Sequence, residues 1–137
     1  MTELSTCLMF VGDQHGRAEE AIELYVSLFA GARVLEIERY GPGEDEPEGT
    51  VKQARFSVAG RELRALDSGR DHQFTFTPAI SLFVDCEEEA ELDRAYELLS
   101  EGGAVLMPLQ EYPFSRRFAW LQDRFGVSWQ LKLAAPR

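Results

Sequence analysis

Two kinds of apolar spacing alternate along the chain. Cys7-Leu8-Met9-Phe10-Val11 and Ile80-Ser81-Leu82-Phe83-Val84 are short apolar runs of strand length. Each is followed by a stretch rich in Glu and Ala in which apolar residues recur every three or four positions. In the first these are Ala18, Ala21, Ile22, Tyr25, Leu28 and Phe29, and in the second Leu92, Ala95, Tyr96 and Leu99. That is the spacing of one buried helical face. Both helices stop at glycine, where Gly31-Ala32-Arg33-Val34-Leu35 matches Gly102-Gly103-Ala104-Val105-Leu106. Ile80 follows Cys7 by 73 residues and Gly102 follows Gly31 by 71, so the chain reads as one unit repeated.

The remaining strands complete both units. Val34 to Tyr40 reads as a strand, and Val51 to Val58 pairs with Glu62 to Leu66 around Ala59-Gly60-Arg61 as a hairpin. Between them, residues 41–49 are dense in Gly, Pro and acid, which predicts an exposed, mobile loop. In the second unit Ala104 to Met107, Arg117 to Leu121 and Val127 to Leu133 read as strands, with Asp123-Arg124-Phe125-Gly126 turning between the last two. The order βαβββ–βαβββ predicts an α+β fold with helices against one face of mostly antiparallel strands. The first module is expected to cover about residues 1–70 and the second about 71–137, in a single domain.

Composition narrows the partners. A formal net charge of −10 over 137 residues repels phosphate backbones and anionic headgroups, which argues against nucleic acid and membrane surfaces. No apolar run reaches the ~20 residues a bilayer span needs, and the N-terminus lacks a signal-peptide pattern, so the expected location is cytoplasmic. Cys7 and Cys86 lie in apolar runs and are expected to be reduced and buried. With no CxxC or Cys/His cluster, a structural zinc site has no ligand set.

The C-terminal run Trp120-Leu121-Gln122-Asp123-Arg124-Phe125-Gly126-Val127-Ser128-Trp129-Gln130 resembles the W-L-x-D-R-F-G-V-S-W-Q signature of PhnB-like proteins, a family within the vicinal oxygen chelate (glyoxalase/bleomycin resistance/dioxygenase) superfamily. Phe74-Thr75-Phe76-Thr77-Pro78-Ala79-Ile80-Ser81-Leu82 is similar to its F-x-F-N-x-A-I-S-F segment, and Ala18-Glu19-Glu20-Ala21 leading to Tyr25 and Ser27-Leu28-Phe29 to its first helix. Thr77, Asp67 and Phe118-Ala119 depart from the family pattern. The resemblance implies paired βαβββ modules whose sheet forms a cleft, with helices on its outer face. In metal-dependent relatives the ligands come from the first strand of each module and the last strand of the chain. Those positions map to Thr6, Ala79 and Gln130, which offer a hydroxyl, a methyl and an amide where a divalent metal wants imidazole or carboxylate. His15 and His72 are the chain's two histidines, both in polar loop sequence away from those positions. The resemblance thus implies no metal and no other cofactor, against a glyoxalase-like or dioxygenase-like mechanism. A demethylubiquinone methyltransferase name also travels with the family. The chain lacks the Gly-rich strand–turn–helix that a nucleotide-like cofactor needs.

Strand alternation sorts the candidate site residues. Thr6, Leu8 and Phe10 of the first strand are expected in the cleft, with Cys7, Met9 and Val11 behind them. Ala79, Ser81 and Phe83 line it from the fifth strand, and Ser128, Gln130 and Lys132 from the last, with Val127, Trp129, Leu131 and Leu133 beneath the helices. Trp120 is a candidate stacking surface. Asp67 is the one carboxylate placed near the cleft, and burial could raise its pKa for general-base work. An apolar cleft with a few neutral polar groups suits a small, partly aromatic ligand. Two functions stay open, a protein that binds such a ligand without chemistry and a metal-independent enzyme acting on it. The open apolar face predicts a homodimer.

Overall fold

The computed structural model describes residues Met1–Pro136. The chain divides into two compact units, Met1–Thr75 and Phe76–Arg137. The first contains β1 (Thr6–Phe10), α1 (Ala18–Val26), β2 (Arg33–Arg39), β3 (Val51–Val58) and β4 (Arg61–Asp67). The second repeats the order with β5 (Ser81–Cys86), α2 (Glu89–Ser100), β6 (Ala104–Tyr112), β7 (Ser115–Gln122) and β8 (Ser128–Leu133). Each unit folds one four-stranded mixed sheet, ordered β1-β4-β3-β2 and β5-β8-β7-β6. The first strand of each unit pairs in parallel with the last, and the other pairings are antiparallel. This is the repeated α+β architecture that the apolar spacing predicted.

Each helix covers one face of its own sheet. In the first unit α1 packs mainly on β3 and β4, and Tyr25 stacks near Phe56 with ring centroids 6.3 Å apart. Ala54, Phe56, Val58, Leu63 and Ala65 are buried on that face. In the second unit α2 packs on β7 and β8, over buried Ala119, Leu121, Trp129, Leu131 and Leu133. The predicted alternation of β8 therefore holds.

The alternation of β1 is opposite to the expectation. Its parallel register sets Leu8 beside Ala65 and Phe10 beside Asp67, on the buried face. Phe10 is 0% exposed, and Leu8 is buried. Cys7, beside Arg64, and Met9, beside Leu66, take the other face, and Cys7 is exposed rather than buried. A one-residue slip in register exchanges every side chain between faces, and a run in which all five residues are apolar carries no internal mark of which set points inward.

Two further segments differ from the reading of the sequence. Strand β6 continues through Pro108 to Tyr112, where the sequence suggested a stop at Met107. It is an edge strand, so a missing N–H costs no ladder bond on its outer side. The acidic loop 41–49 is tied down at two carboxylates. Glu44 accepts the Gly41 N–H at 2.6 Å and meets Lys52 at 3.2 Å. Glu46 accepts the Gly69 N–H at 2.9 Å and lies 2.9 Å from His15 Nε2.

Candidate functional site

The uncovered faces of the two sheets differ in chemistry. In the first unit Arg55, Glu62 and Arg64 stand on that face, and Arg55 bonds Glu62 at 2.9 Å. Salt-linked, water-facing side chains of this kind form an ordinary solvated surface. In the second unit the corresponding face carries Ser81 and Phe83 from β5, Ser128, Gln130 and Lys132 from β8, and Phe118 and Trp120 from β7.

A neutral hydrogen-bonded row crosses three strands there. Trp120 Nε1–H donates to Ser128 Oγ at 2.9 Å, Ser128 Oγ lies 2.7 Å from Ser81 Oγ, and Gln130 Nε2 donates to Ser81 Oγ at 3.2 Å. The register places these groups side by side, because Ser81 pairs with Ser128 and Trp120 with Gln130. Trp120 roofs Ser128, which is buried although it lies on the uncovered face. The half-buried Trp120 indole and the Gln130 side chain border this row on the same face.

Next to the row is an aromatic group. Phe118 is only 4% exposed, because neighbouring rings cover it. Phe114 lies 5.0 Å from it edge-on, Tyr112 5.9 Å edge-on and Phe83 6.3 Å tilted, while Tyr112 and Phe114 stack at 5.6 Å. Phe83 and Phe114 remain 51% and 56% exposed. Sequence reasoning missed Tyr112 and Phe114, which sit on the part of the β6–β7 hairpin that Pro108 hid. The aromatic spacing of Tyr112, Phe114 and Phe118 was the available signal.

Asp67 is not a free carboxylate. It is 2% exposed, and its two oxygens accept three backbone N–H groups. Oδ1 takes Gly16 at 2.8 Å and Ala18 at 3.1 Å, and Oδ2 takes Val51 at 2.9 Å. A negative charge at the start of α1 also meets the positive end of the helix dipole. Asp67 thus fastens the start of α1 and the start of β3 to the end of β4. Asp123 is also a buried structural carboxylate, but a local one that fixes the β7–β8 turn, accepting Phe125 N–H at 2.9 Å, Val127 N–H at 3.0 Å and Trp129 Nε1–H at 3.0 Å. Trp129 is therefore a core residue, and Trp120 is the indole available at a surface.

The mapped metal positions do not form a ligand set. Thr6 pairs with Leu63 on the helix-side face, Ala79 lies in the turn before β5, and Gln130 holds Ser81 through its amide nitrogen. Their donors are one hydroxyl and one neutral amide, which do not fit a divalent cation. Among the described residues no group of three or more His, Cys, Asp or Glu could hold a metal ion. His15 is engaged with Glu46, and His72 with Ser68 Oγ at 2.8 Å. A methyl-donor nucleotide fares no better at the turn into α1, where the Gly16 N–H is committed to Asp67.

The two repeated βαβββ units have the fold of vicinal oxygen chelate proteins. A glyoxylase/bleomycin resistance protein/dioxygenase domain from Frankia superposes with a TM-score of 0.66 at 16% identity, covering 98% of this chain and 99% of that one. The PhnB protein from Bacillus cereus superposes with a TM-score of 0.91 at 48% identity, covering 97% of this chain and 100% of that one. YjdN from Escherichia coli K12 is 27% identical over 94 residues, which is 66% of this chain and 61% of that protein, so the match spans less than two thirds of that relative. Residues 2–132 match the family described as 3-demethylubiquinone-9 3-methyltransferase, and the chain belongs to this PhnB-like family of the vicinal oxygen chelate superfamily. Among the described residues no helix is long and apolar enough to cross a membrane.

Proposed function

We propose that the chain binds a small, partly hydrophobic molecule on the uncovered face of its second unit, without a metal. The observation that carries this reading is the Trp120–Ser128–Ser81–Gln130 row, a neutral set of hydrogen-bonding groups beside half-exposed Phe83 and Phe114. Few polar groups fixed among aromatic walls are the usual lining of a small-molecule site. The enzymatic alternative loses support because Asp67, its one candidate base, already accepts three backbone N–H groups. The methyl transfer in the family's description likewise finds no Gly-rich turn at the start of α1, where the Gly16 and Ala18 N–H groups are committed to Asp67. Leu8 and Phe10, buried under α1, drop out of the binding set, and Thr6 shares their face. Exposed aromatic surface also supports association into a homodimer.

Native mass spectrometry of the purified full chain tests these points together. The expected result is an organic adduct of a few hundred daltons, no stoichiometric metal, and a species at twice the 15.5 kDa chain mass. One divalent ion per chain would refute the metal-free site, and a purely monomeric spectrum at micromolar concentration would refute the dimer. Trp120 should report binding by fluorescence, and Trp120→Phe should remove the response. A metabolite library that leaves Trp120 emission unmoved, together with no adduct, would overturn the binding function.

A further inference from the structure

We infer that the ligand class is a planar aromatic anion, with its ring against Tyr112 and Phe114 and its negative group held by Lys132 and Arg116. This rests on the reading of the second unit's uncovered face as the binding face and adds the charge that the ligand must carry.

The first observation is a cavity of about 340 Å³ at the end of the β6–β7 hairpin, lined in part by Tyr112, Phe114, Arg116, Lys132 and Glu111. That volume lies within the ~300–1,000 Å³ range of small-molecule pockets. Two aromatic side chains and two cations thus share one concave surface. Phe114 and Tyr112 are stacked within 11° of parallel and both rest edge-on against Phe118, so they form a braced platform rather than a loose tip.

The second observation is the state of the cations. The chain has 24 acidic and 14 basic residues, so partners for a lysine are abundant. Arg17, Arg39, Lys52, Arg55, Arg64 and Arg117 all lie in ion pairs. Lys132 is half-buried and lies opposite Phe118, with Asp85 as its neighbour in register, yet it makes no ion pair among the described residues. Arg116 gives one N–H to the Ala134 carbonyl at 3.1 Å, which leaves most of its donor fork open. A half-buried ammonium beside aromatic rings loses hydration without a compensating charge. An incoming anion supplies that charge, and a planar carboxylate matches the guanidinium fork.

The remaining wall sets the orientation. Glu111 lines the same cavity and repels a negative group, so the anionic end must lie on the Lys132 and Arg116 side. A cationic ligand would meet both of those residues, and a purely apolar one would leave them unmatched. The overall charge of −10 works against any anion, which makes the comparison with a neutral isostere decisive.

The test uses 2-naphthoate and its neutral amide, 2-naphthamide, titrated into the full chain by calorimetry. Naphthoate should bind at least tenfold more tightly than naphthamide. Lys132→Gln and Arg116→Gln should each shrink that ratio at least threefold at an unchanged melting temperature, and Lys132→Arg should retain the ratio. Phe114→Ala should weaken both probes together. Equal affinities, failure of both probes to bind, or a ratio that survives both Gln substitutions would overturn the assignment. Tight naphthamide binding would overturn the anion while leaving the binding function intact. A library in which no compound moves Trp120 would remove that function as well.

Discussion

Replacing Asp67 separates a structural carboxylate from a catalytic one. Asp67→Ala removes the acceptor of three backbone N–H groups, those of Gly16, Ala18 and Val51, at a position only 2% exposed. Hydrogen bonds to a charged group contribute about 1.5–3 kcal/mol each. Three summed in full would exceed what one substitution normally costs, but water entering the vacated space restores part of the bonding. A loss of about 4 kcal/mol is expected, a large part of the ~5–15 kcal/mol that holds a domain folded. With a urea slope of about 2 kcal/mol per molar, the unfolding midpoint should fall by about 2 M at unchanged slope. Asp67→Asn keeps one oxygen for two of the donors but turns its own N–H toward the third, so about half the loss is expected. Urea titration followed by circular dichroism measures both. A midpoint within about 0.5 M of the parent for Asp67→Ala would show that the carboxylate is not what fastens α1 and β3, and would return it to the list of candidate bases.

Two glycines and two cysteines supply further tests. A Cβ at Gly103 would come within 2.2 Å of the Gln122 carbonyl oxygen, so Gly103→Ala should push β6 from β7 and cost about 1–3 kcal/mol, read as a lower melting temperature. Gly126 has φ +95° in the Asp123–Gly126 turn, and a Cβ there would meet the Phe76 side chain at an ordinary 3.6 Å, so Gly126→Val should cost about 1–3 kcal/mol, chiefly through backbone strain, and an unchanged melting temperature would contradict that geometry. Exposed Cys7 should react with a disulfide reagent in the folded protein and Cys86 only after denaturation; two rapid equivalents at neutral pH would show Cys86 to be accessible. Burial, with smaller contributions from Glu91 and Asp85, raises the Cys86 thiol to about 12. In the unfolded chain this thiol ionises near its ordinary 9.0, so its contribution to stability is complete below that pH and declines as the pH rises toward 12. Cys86→Ala should remove that component of the alkaline loss, and an identical alkaline profile would refute it.

Much of the fold was legible because periodicity is local. The three-to-four spacing of Ala18, Ala21, Ile22 and Tyr25 and the alternation of Trp129, Leu131 and Leu133 each require a buried face whatever surrounds them, and both faces are buried in the structure. That Ser128 and Gln130 share a face was also recoverable, since β8 alternates cleanly and fixes which of its residues lie opposite the helix. Tyr112 and Phe114 were not, because an edge strand tolerates Pro108 and the sequence does not say which strand is the edge.

By itself, then, the sequence determined the repeated βαβββ units, the turn chemistry at Gly126 and the absence of imidazole or carboxylate at the mapped metal positions. These are properties of residue type and short-range spacing. Tertiary structure decided the facing of β1, because an unbroken apolar run acquires an inside only when pairing with β4 sets Phe10 beside Asp67. It also decided the role of Asp67, whose three partners lie 16 to 51 residues away along the chain. Whether a carboxylate is free for chemistry depends on which N–H groups the fold delivers to it, and that is a long-range fact no local pattern encodes.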